Sequence, residues 1–404
     1  MKDAKLKKIL FFIFAAALFL RLLAVGMQEE SEKVPRSDAA VFDNIAMNII
    51  SGHGLSMDIM GEKVHTSFRP PFFPLFLAGV YAIFGHSYVA VKVIQAILGA
   101  AFCIVIFFIT AILYDDKRIG ITAAILTALY KPFVFGFNYY GGPAILFNEC
   151  FYIFILGIAI LTTLLFIKKE NKIFGALSGI FISLTILTRF EFIVYPMLLI
   201  FYLFCISKLP IKSFVKKYLI IYIFITLTMT PWVIRNYVVH KKFVPLSTLG
   251  GIVFYMGNNS LANGSSSGCL AQNYIDMCAK TAHMTEYEKN NTFLKEGIDY
   301  LKNNPKRIPI LFVRKMLVHW APFEGGLAIF NPYYASILFL GVIGIVFFRK
   351  RSLEENALLI ILLSTTVVAI VTVGDPRYRY PYESYLIIFA ALAINKIFMR
   401  IRQC

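Results

Sequence analysis

Residues Leu146–Ser207 read LFNECFYIFILGIAILTTLLFIKKENKIFGALSGIFISLTILTRFEFIVYPMLLIFYLFCIS. Three apolar segments, at 146–167, 173–188 and 190–207, are divided first by Lys168–Lys172 and then by Thr188-Arg189-Phe190-Glu191. A helix of about 20 apolar residues spans the roughly 30 Å hydrocarbon layer of a bilayer. The basic connector belongs on the cytoplasmic side, where Lys and Arg concentrate. The Thr188–Glu191 reversal then lies on the opposite side. This stretch reads as three successive membrane passes.

The same pattern recurs along the chain. Further spans lie near 9–27, 88–113, 119–137, 217–234, 333–348, 356–373 and 382–398. The connectors Lys2–Lys8, Asp115–Arg118, Lys208–Lys217, Arg349–Arg351 and Lys396–Arg402 alternate with polar or long loops. The expected fold is an all-α integral membrane bundle of about ten transmembrane helices, with both termini cytoplasmic in the plasma (inner) membrane. Composition agrees: 58% of the 404 residues are hydrophobic and 16% charged, with a mean hydropathy of +0.71. Soluble domains hold nearer 45–50% apolar and about 25% charged residues. The net charge of +17 sits in the connectors, so no nucleic-acid partner is expected. The first span is too long for a signal peptide and contains Arg21, which favours an uncleaved anchor. The six cysteines show no metal-ligand spacing; only Cys269 and Cys278 share an outward loop, as a disulfide or as two free thiols.

Three regions are left outside: a first loop over 28–87, a long loop over 236–331 and a short one at Gly374–Pro381. Within the first loop, 37–50 predicts an amphipathic helix with Val41, Phe42, Ile45, Ala46 and Ile49 at helical spacing. At about 100° per residue Asp38 falls within that apolar stripe and Asp43 on the polar side. An N-terminal cap is the simpler role for Asp38. Ser51-Gly52-His53-Gly54 ends the helix. Phe68-Arg69-Pro70-Pro71-Phe72-Phe73-Pro74 and the apolar run to Phe84 predict a helix at the membrane interface, because a full span there would reverse the sidedness of Asp115–Arg118. In the long loop, 285–303 predicts a solvated helix and 305–320 a basic amphipathic one.

Chemistry is suggested by charges that membrane placement should deplete. Glu149 opens the span at 146–167, and a short carboxylate snorkels poorly to the headgroups. Arg69, Arg189, Arg235, Arg377 and Arg379 all map to outer span ends, where the positive-inside bias disfavours arginine. Arg189 has Glu191 as a possible partner, and Tyr378, Tyr380 and Trp232 read as interface-belt aromatics. Several arginines at one face suit a phosphate, which a guanidinium fork binds through two hydrogen bonds. Paired with outer acids, they suit transfer of a group from a lipid phosphate, with the carboxylate as base and an arginine on the departing phosphate. No G-x-S-x-G, H-E-x-x-H, Walker A, dinucleotide fingerprint or D-x-D occurs, so no cofactor or metal is assigned.

At these residues the chain resembles the GT-C glycosyltransferases that use polyprenyl-phosphate sugars, in particular the protein O-mannosyltransferase and aminoarabinose transferase-like family, glycosyltransferase family 39. The resemblance rests on Ser37-Asp38, Ser51-Gly52-His53-Gly54, Phe68-Arg69-Pro70-Pro71-Phe72-Phe73-Pro74, Asn148-Glu149, Leu187-Thr188-Arg189, Pro231-Trp232-Val233-Ile234-Arg235-Asn236 and Gly257-Asn258-Asn259. It runs to about Asn259, with Arg377–Pro381 a weaker echo. It implies a GT-C module over 1–235 with interfacial helices in the first outer loop, an extracytoplasmic loop at 236–331 and C-terminal transmembrane helices at 332–404. It implies an inverting glycosyltransferase that moves a sugar from a polyprenyl-phosphate donor to an extracytoplasmic lipid, glycan or protein acceptor. Asp38 matches the essential carboxylate, Glu149 the second outer acid and Arg69 the residue on the carrier phosphate; Arg189 and Arg235 match recurrent positions. The C-terminal part is short beside relatives that carry a large soluble domain, so acceptor recognition is expected to rest mostly on the 236–331 loop. The rival reading is a transporter or flippase of a lipid-linked or anionic substrate, but neither a repeat nor a midplane acid is present.

Overall fold

The computed structural model describes residues 3–28, 35–136, 142–207, 209–266, 272–324 and 327–402. Helices form at all ten expected spans: α1 (Asp3–Gly26), α4 (Tyr88–Tyr114), α5 (Lys117–Leu129) with α6 (Lys131–Phe135), α7 (Glu149–Lys169), α8 (Lys172–Ile186), α9 (Val194–Ile206), α10 (Ile211–His240), α15 (Pro332–Ile343), α16 (Leu353–Val371) and α18 (Glu383–Ile401). Among the described residues six segments are long and apolar enough to cross a membrane: Ala4–Gly26, Tyr88–Tyr114, Glu149–Lys169, Ile211–His240, Leu353–Val371 and Pro376–Ile401. Phe72–Phe84, Lys172–Ile186, Phe190–Ile206 and Pro332–Phe348 are shorter apolar helices. The chain is a multi-pass membrane protein.

Local chemistry sets the boundaries. Ser87, Asp116, Asn171, Asn331 and Ser352 each accept a backbone N–H at the start of a helix, as short polar side chains do at N-caps. The span expected at 119–137 is broken after Leu129. Tyr130 is extended and the helix restarts at Lys131, because Pro132 has no N–H to bond back into the preceding turn. Buried apolar side chains of α4, α7, α8, α16 and α18 form one continuous core, and the small residues Ala159, Gly179 and Ala390 bring helices close.

Two structured regions gather at one end of the bundle. α2 (Asp38–Ile50) and α3 (Phe72–Phe84) pack together through Phe42, Phe73 and Leu77. At 13 residues α3 is about 20 Å long, too short to cross. A β-hairpin unforeseen in the sequence, β1 (Ser56–Ile59) with β2 (Glu62–His65), joins them. Asp58 ties it to Asn44, Asn48 and Lys63, and burial of the Asn48 amide explains that residue's place on the inner face of α2. The long loop folds as α11 (Gly250–Gly257), α12 (Gln272–Lys280), α13 (Glu286–Asn303) and α14 (Arg307–Trp320), followed by the two-residue strands β3 (Phe323–Glu324) and β4 (Ile329–Phe330). A capping box of Thr285 and Glu288 starts α13. The four-residue α17 (Pro376–Arg379) links α16 to α18 at the same end. Cys269 lies outside the described residues; among the described residues Cys278 has no disulfide partner.

Candidate functional site

Chain direction alone brings five of the singled-out residues to this end: Asp38 begins α2, Arg69 precedes α3, Glu149 begins α7, Arg189 follows α8 and Arg377 sits between α16 and α18. The side chains then meet. The Asp38 carboxylate does not cap its helix; the Ser37 cap has φ 53° and makes no side-chain bond. Instead one Asp38 oxygen accepts from Arg69 Nη2, and the other accepts from Arg377 Nη1 at 2.8 Å. Burial by itself would raise the Asp38 pKa, but the Arg69 and Arg377 guanidiniums hold it below its ordinary value. Arg69 lies 5.5 Å and 5.0 Å from the Phe42 and Phe68 ring centroids, which keep it in place as a cation over aromatic faces.

Glu149 is fully buried at the N-terminus of α7, where the helix dipole favours an anion. Its Oε1 accepts from Arg377 Nε at 2.7 Å and lies 3.9 Å from Arg189 Nη1. Arg377 thus bridges the two acids and rests 4.7 Å from the Phe147 ring centroid. Arg189 donates to Glu191 at 2.6 Å and lies 5.3 Å and 5.2 Å from the ring centroids of Tyr152 and Tyr378. Burial would lower the Arg189 pKa, but Glu191 and Glu149 raise it, so the guanidinium stays charged. Three carboxylates and three guanidiniums are interlocked.

The network is incompletely satisfied. Among the described residues, Glu149 Oε2, Arg189 Nη1, Arg69 Nε and Asn148 Oδ1 are buried and find no hydrogen-bond partner. Such atoms normally cost about 1–3 kcal/mol each. Four in one place match what a ligand would complete: an anionic oxygen for the arginine N–H groups, and an N–H or O–H for the carboxylate and amide oxygens. Among the described residues no group of three or more His, Cys, Asp or Glu is placed to hold a metal ion.

Two arginines singled out in the sequence are committed elsewhere. Arg235 donates to the carbonyls of Thr66 and Leu55 at 2.7 and 2.6 Å and to Ser67 Oγ at 2.9 Å. It braces the first loop against α10. Arg379, wholly buried, pairs with Glu383 at 2.8 Å and Glu324 at 3.1 Å and donates to the carbonyls of His319 and Ala321. It joins α14, β3 and α18 behind the site. The aromatics differ from a belt as well. Trp232 and Tyr380 are buried, with Trp232 Nε1 donating to Leu246 O at 2.7 Å and the Tyr380 hydroxyl donating to Pro132 O at 2.9 Å. Two contributors escaped the sequence reading. Phe147 carries no polar signal. Asp375 accepts the Arg377 N–H and so sets α17; the sequence does signal this, as an acid before Pro376 at a helix start.

The comparisons with known proteins agree with this architecture. Residues 68–234 match the family model described as dolichyl-phosphate-mannose-protein mannosyltransferase, a stretch that holds Arg69, Glu149 and Arg189 but neither Asp38 nor Arg377. No curated protein matches the chain. The apo crystal structure of the oligosaccharyltransferase of Archaeoglobus fulgidus aligns with a TM-score of 0.61 at 16% identity, over 99% of this chain and 51% of that one. The same archaeal enzyme, AglB, in complex with an inhibitory peptide and a dolichol-phosphate gives the same TM-score, identity and coverage. ArnT from Cupriavidus metallidurans bound to undecaprenyl phosphate aligns with a TM-score of 0.49 at 9% identity, over 96% of this chain and 77% of that one. The chain spans about half the length of the archaeal structures it matches. The likeness to the archaeal structures is one of fold.

Proposed function

We propose that this chain is a membrane glycosyltransferase that moves a sugar from a polyprenyl-phosphate donor to an extracytoplasmic lipid, glycan or protein acceptor with inversion. The observation that carries it is the convergence of Asp38 and Glu149 with Arg69, Arg189 and Arg377 at one end of a GT-C bundle. The family matched over 68–234 and the dolichol-phosphate in the AglB complex support the choice of donor. The basic connectors lie at the opposite end of the helices from the site, which supports an extracytoplasmic active site and cytoplasmic termini.

In this mechanism the donor phosphate takes hydrogen bonds from Arg69 and Arg377, with Arg189 Nη1 available as a further donor. The acceptor hydroxyl or amine attacks the anomeric carbon from the face opposite the phosphate. As the carbon–oxygen bond to phosphate breaks, the arginines bind the charge that gathers on the leaving group. Asp38 accepts the acceptor's proton, and Glu149 holds Arg377 and offers its unpartnered Oε2 to the acceptor. Asp38 is a weak base while both arginines grip it. Drawing those guanidiniums onto the phosphate raises its basicity, so donor binding prepares the base.

The test follows radiolabel from a polyprenyl-phosphate sugar into acceptor in membranes bearing the wild-type or Asp38→Asn chain. Transfer should be present in the first and lost in the second, with equal amounts of inserted protein. Undiminished transfer by Asp38→Asn overturns the assignment of the base. Label crossing the membrane without a new glycosidic bond overturns the reaction itself.

A further inference from the structure

The two arginines that grip Asp38 are both held from behind by the long loop, through two separate contacts. The first runs through Glu286, at the start of α13. Its carboxylate accepts from Thr66 Oγ1 at 2.5 Å, from the Ser67 N–H at 3.0 Å and from Thr248 Oγ1 at 3.0 Å. Thr66 Oγ1 in turn accepts the Phe68 N–H at 3.0 Å. The Phe68 ring packs into the loop's own small core with Ile252, Tyr255, Met277 and Phe293, and Arg69 lies over that ring. Three consecutive residues before Arg69 are therefore fastened to α11 and α13, not to the membrane helices alone.

The second contact runs through Lys315 of α14, which is buried and has no carboxylate partner among the described residues. Its Nζ donates to Asn258 Oδ1 at 2.8 Å and to the Ile370 carbonyl at 3.0 Å, and Asn258 donates to the Val371 carbonyl at 3.0 Å. These carbonyls end α16, six or seven residues before Arg377, where the helix dipole favours a cation. The backbones meet here with no room for side chains. A Cβ on Gly257 would come within 1.8 Å of Thr372 O, and one on Gly374 within 2.3 Å of Lys315 O. The Gly374 N–H donates to Gly264 O at 2.9 Å, so the strand leading to α17 is bonded to the loop.

We propose that Glu286 and Lys315 are positioning residues that couple the long loop to Arg69 and Arg377, so that the loop sets the spacing of the two guanidiniums that receive the donor phosphate. The inference rests on the proposed transferase reading and adds to it that the loop, assigned to acceptor recognition, is part of the donor site. Neither residue touches the reacting atoms. Each acts through the backbone it holds. A guanidinium displaced by about 1 Å from its productive place loses on the order of 100-fold in the step it serves.

The experiment is a double-mutant cycle in the full-length protein in nanodiscs: wild type, Glu286→Ala, Arg69→Ala and both together, with Lys315→Met, Arg377→Ala and their double variant as the second cycle. Donor KM, kcat and the melting temperature are measured for each. Glu286→Ala and Lys315→Met should raise donor KM about tenfold and leave acceptor KM unchanged, with Glu286→Gln and Lys315→Arg recovering part of the loss. In each double variant the position-holding substitution should add little to the loss from the arginine alone, since its effect passes through that arginine. A residue that merely stabilises the fold would lower the melting temperature and leave the losses in kcat/KM additive; additive cycles overturn the proposal. Affinity for a short-chain polyprenyl phosphate is read in parallel. Wild-type protein that binds this probe with coupled variants but transfers no sugar refutes the transferase reading alone. Wild-type transfer with additive variants refutes the coupling alone.

Discussion

Arg377 is the member of the network on which the others depend most, and its removal gives the sharpest forecast. Its Nε and Nη1 reach Glu149 and Asp38 at 2.7 and 2.8 Å. Arg377→Ala leaves Asp38 with Arg69, but it leaves Glu149, with no exposed surface, facing Arg189 at 3.9 Å as its one cation among the described residues. Removing one member of a buried pair typically costs about 3–5 kcal/mol because the other charge is stranded. The residual Arg189 contact puts the expected loss at the lower end, roughly 3 kcal/mol. Removing the stranded charge too should restore most of that loss. Glu149→Gln alone should cost little, since Arg377 keeps Asp38 and Arg189 keeps Glu191. The expected order of stability is wild type, Glu149→Gln, the double variant, then Arg377→Ala lowest. Thermal unfolding of the four purified proteins in one detergent tests it. Should Arg377→Ala prove as stable as the double variant, Glu149 is not relying on this guanidinium for its charge, and the bridge described above is not what holds the site. Arg377→Lys separates charge from geometry. An ammonium cannot serve both acids in the planar way a guanidinium does, and a loss of roughly 10–100-fold in kcat/KM, about 1.4–2.7 kcal/mol, is expected with stability largely kept.

Other outcomes follow from the same contacts. Since Asp38 has a lowered pKa, it contributes stability that is present above its unfolded value of 3.8 and lost as pH falls through the lower folded value. The stability gap between wild type and Asp38→Asn should therefore narrow as pH is taken from neutral to below 3.8, and a gap that widens refutes the assigned ion pairs. Arg379→Gln should destabilise by about 3–5 kcal/mol by taking the guanidinium away from buried Glu383, while the folded fraction keeps its donor KM; a selective rise in donor KM would place Arg379 in the phosphate site instead. In a chain stripped of its native cysteines, Ser51→Cys should react with an impermeant maleimide from outside the cell and Lys172→Cys only after permeabilisation. The reverse pattern would put Asp38 on the cytoplasmic face.

The bundle was legible because hydrocarbon imposes one pattern on every crossing: an apolar run of fixed length, then a connector whose charge reports its side. That rule placed all ten helical segments. Helical phase did not separate the two acids of α2: Asp43, expected on the polar side, is less exposed than Asp38 and accepts from Tyr81 of α3 and Tyr88 of α4. What the rule could not supply was the fate of individual arginines. Arg235, Arg377 and Arg379 share the same signal, a guanidinium at an expected outer span end, yet one binds carbonyls, one bridges two acids and one is sealed in a buried triad. The difference lies in partners such as Thr66 and Glu324, which are 169 and 55 residues away in sequence and are brought close only by tertiary packing, whereas Glu383, the other partner of Arg379, lies four residues on. The hairpin at 56–65 was missed for a related reason: it is short, exposed and fixed by Asp58 reaching back to α2.

The site's own charges bear on how it would work. Asp38, Glu149 and Glu191 balance Arg69, Arg189 and Arg377 one for one. A neutral, interlocked cluster is stable without a ligand, which a face with three free guanidiniums would not be. The unpartnered Arg69 Nε and Arg189 Nη1 can take a phosphate oxygen first, but a fuller grip by Arg69 and Arg377 displaces a carboxylate, and Asp38 is the acid most readily released, since it keeps some contact with water while Glu149 has none. The group freed by donor binding is then the one proposed as the base. Phosphate binding and base activation become a single exchange of partners on Arg69 and Arg377, and an acceptor that arrives before the donor would find Asp38 still held.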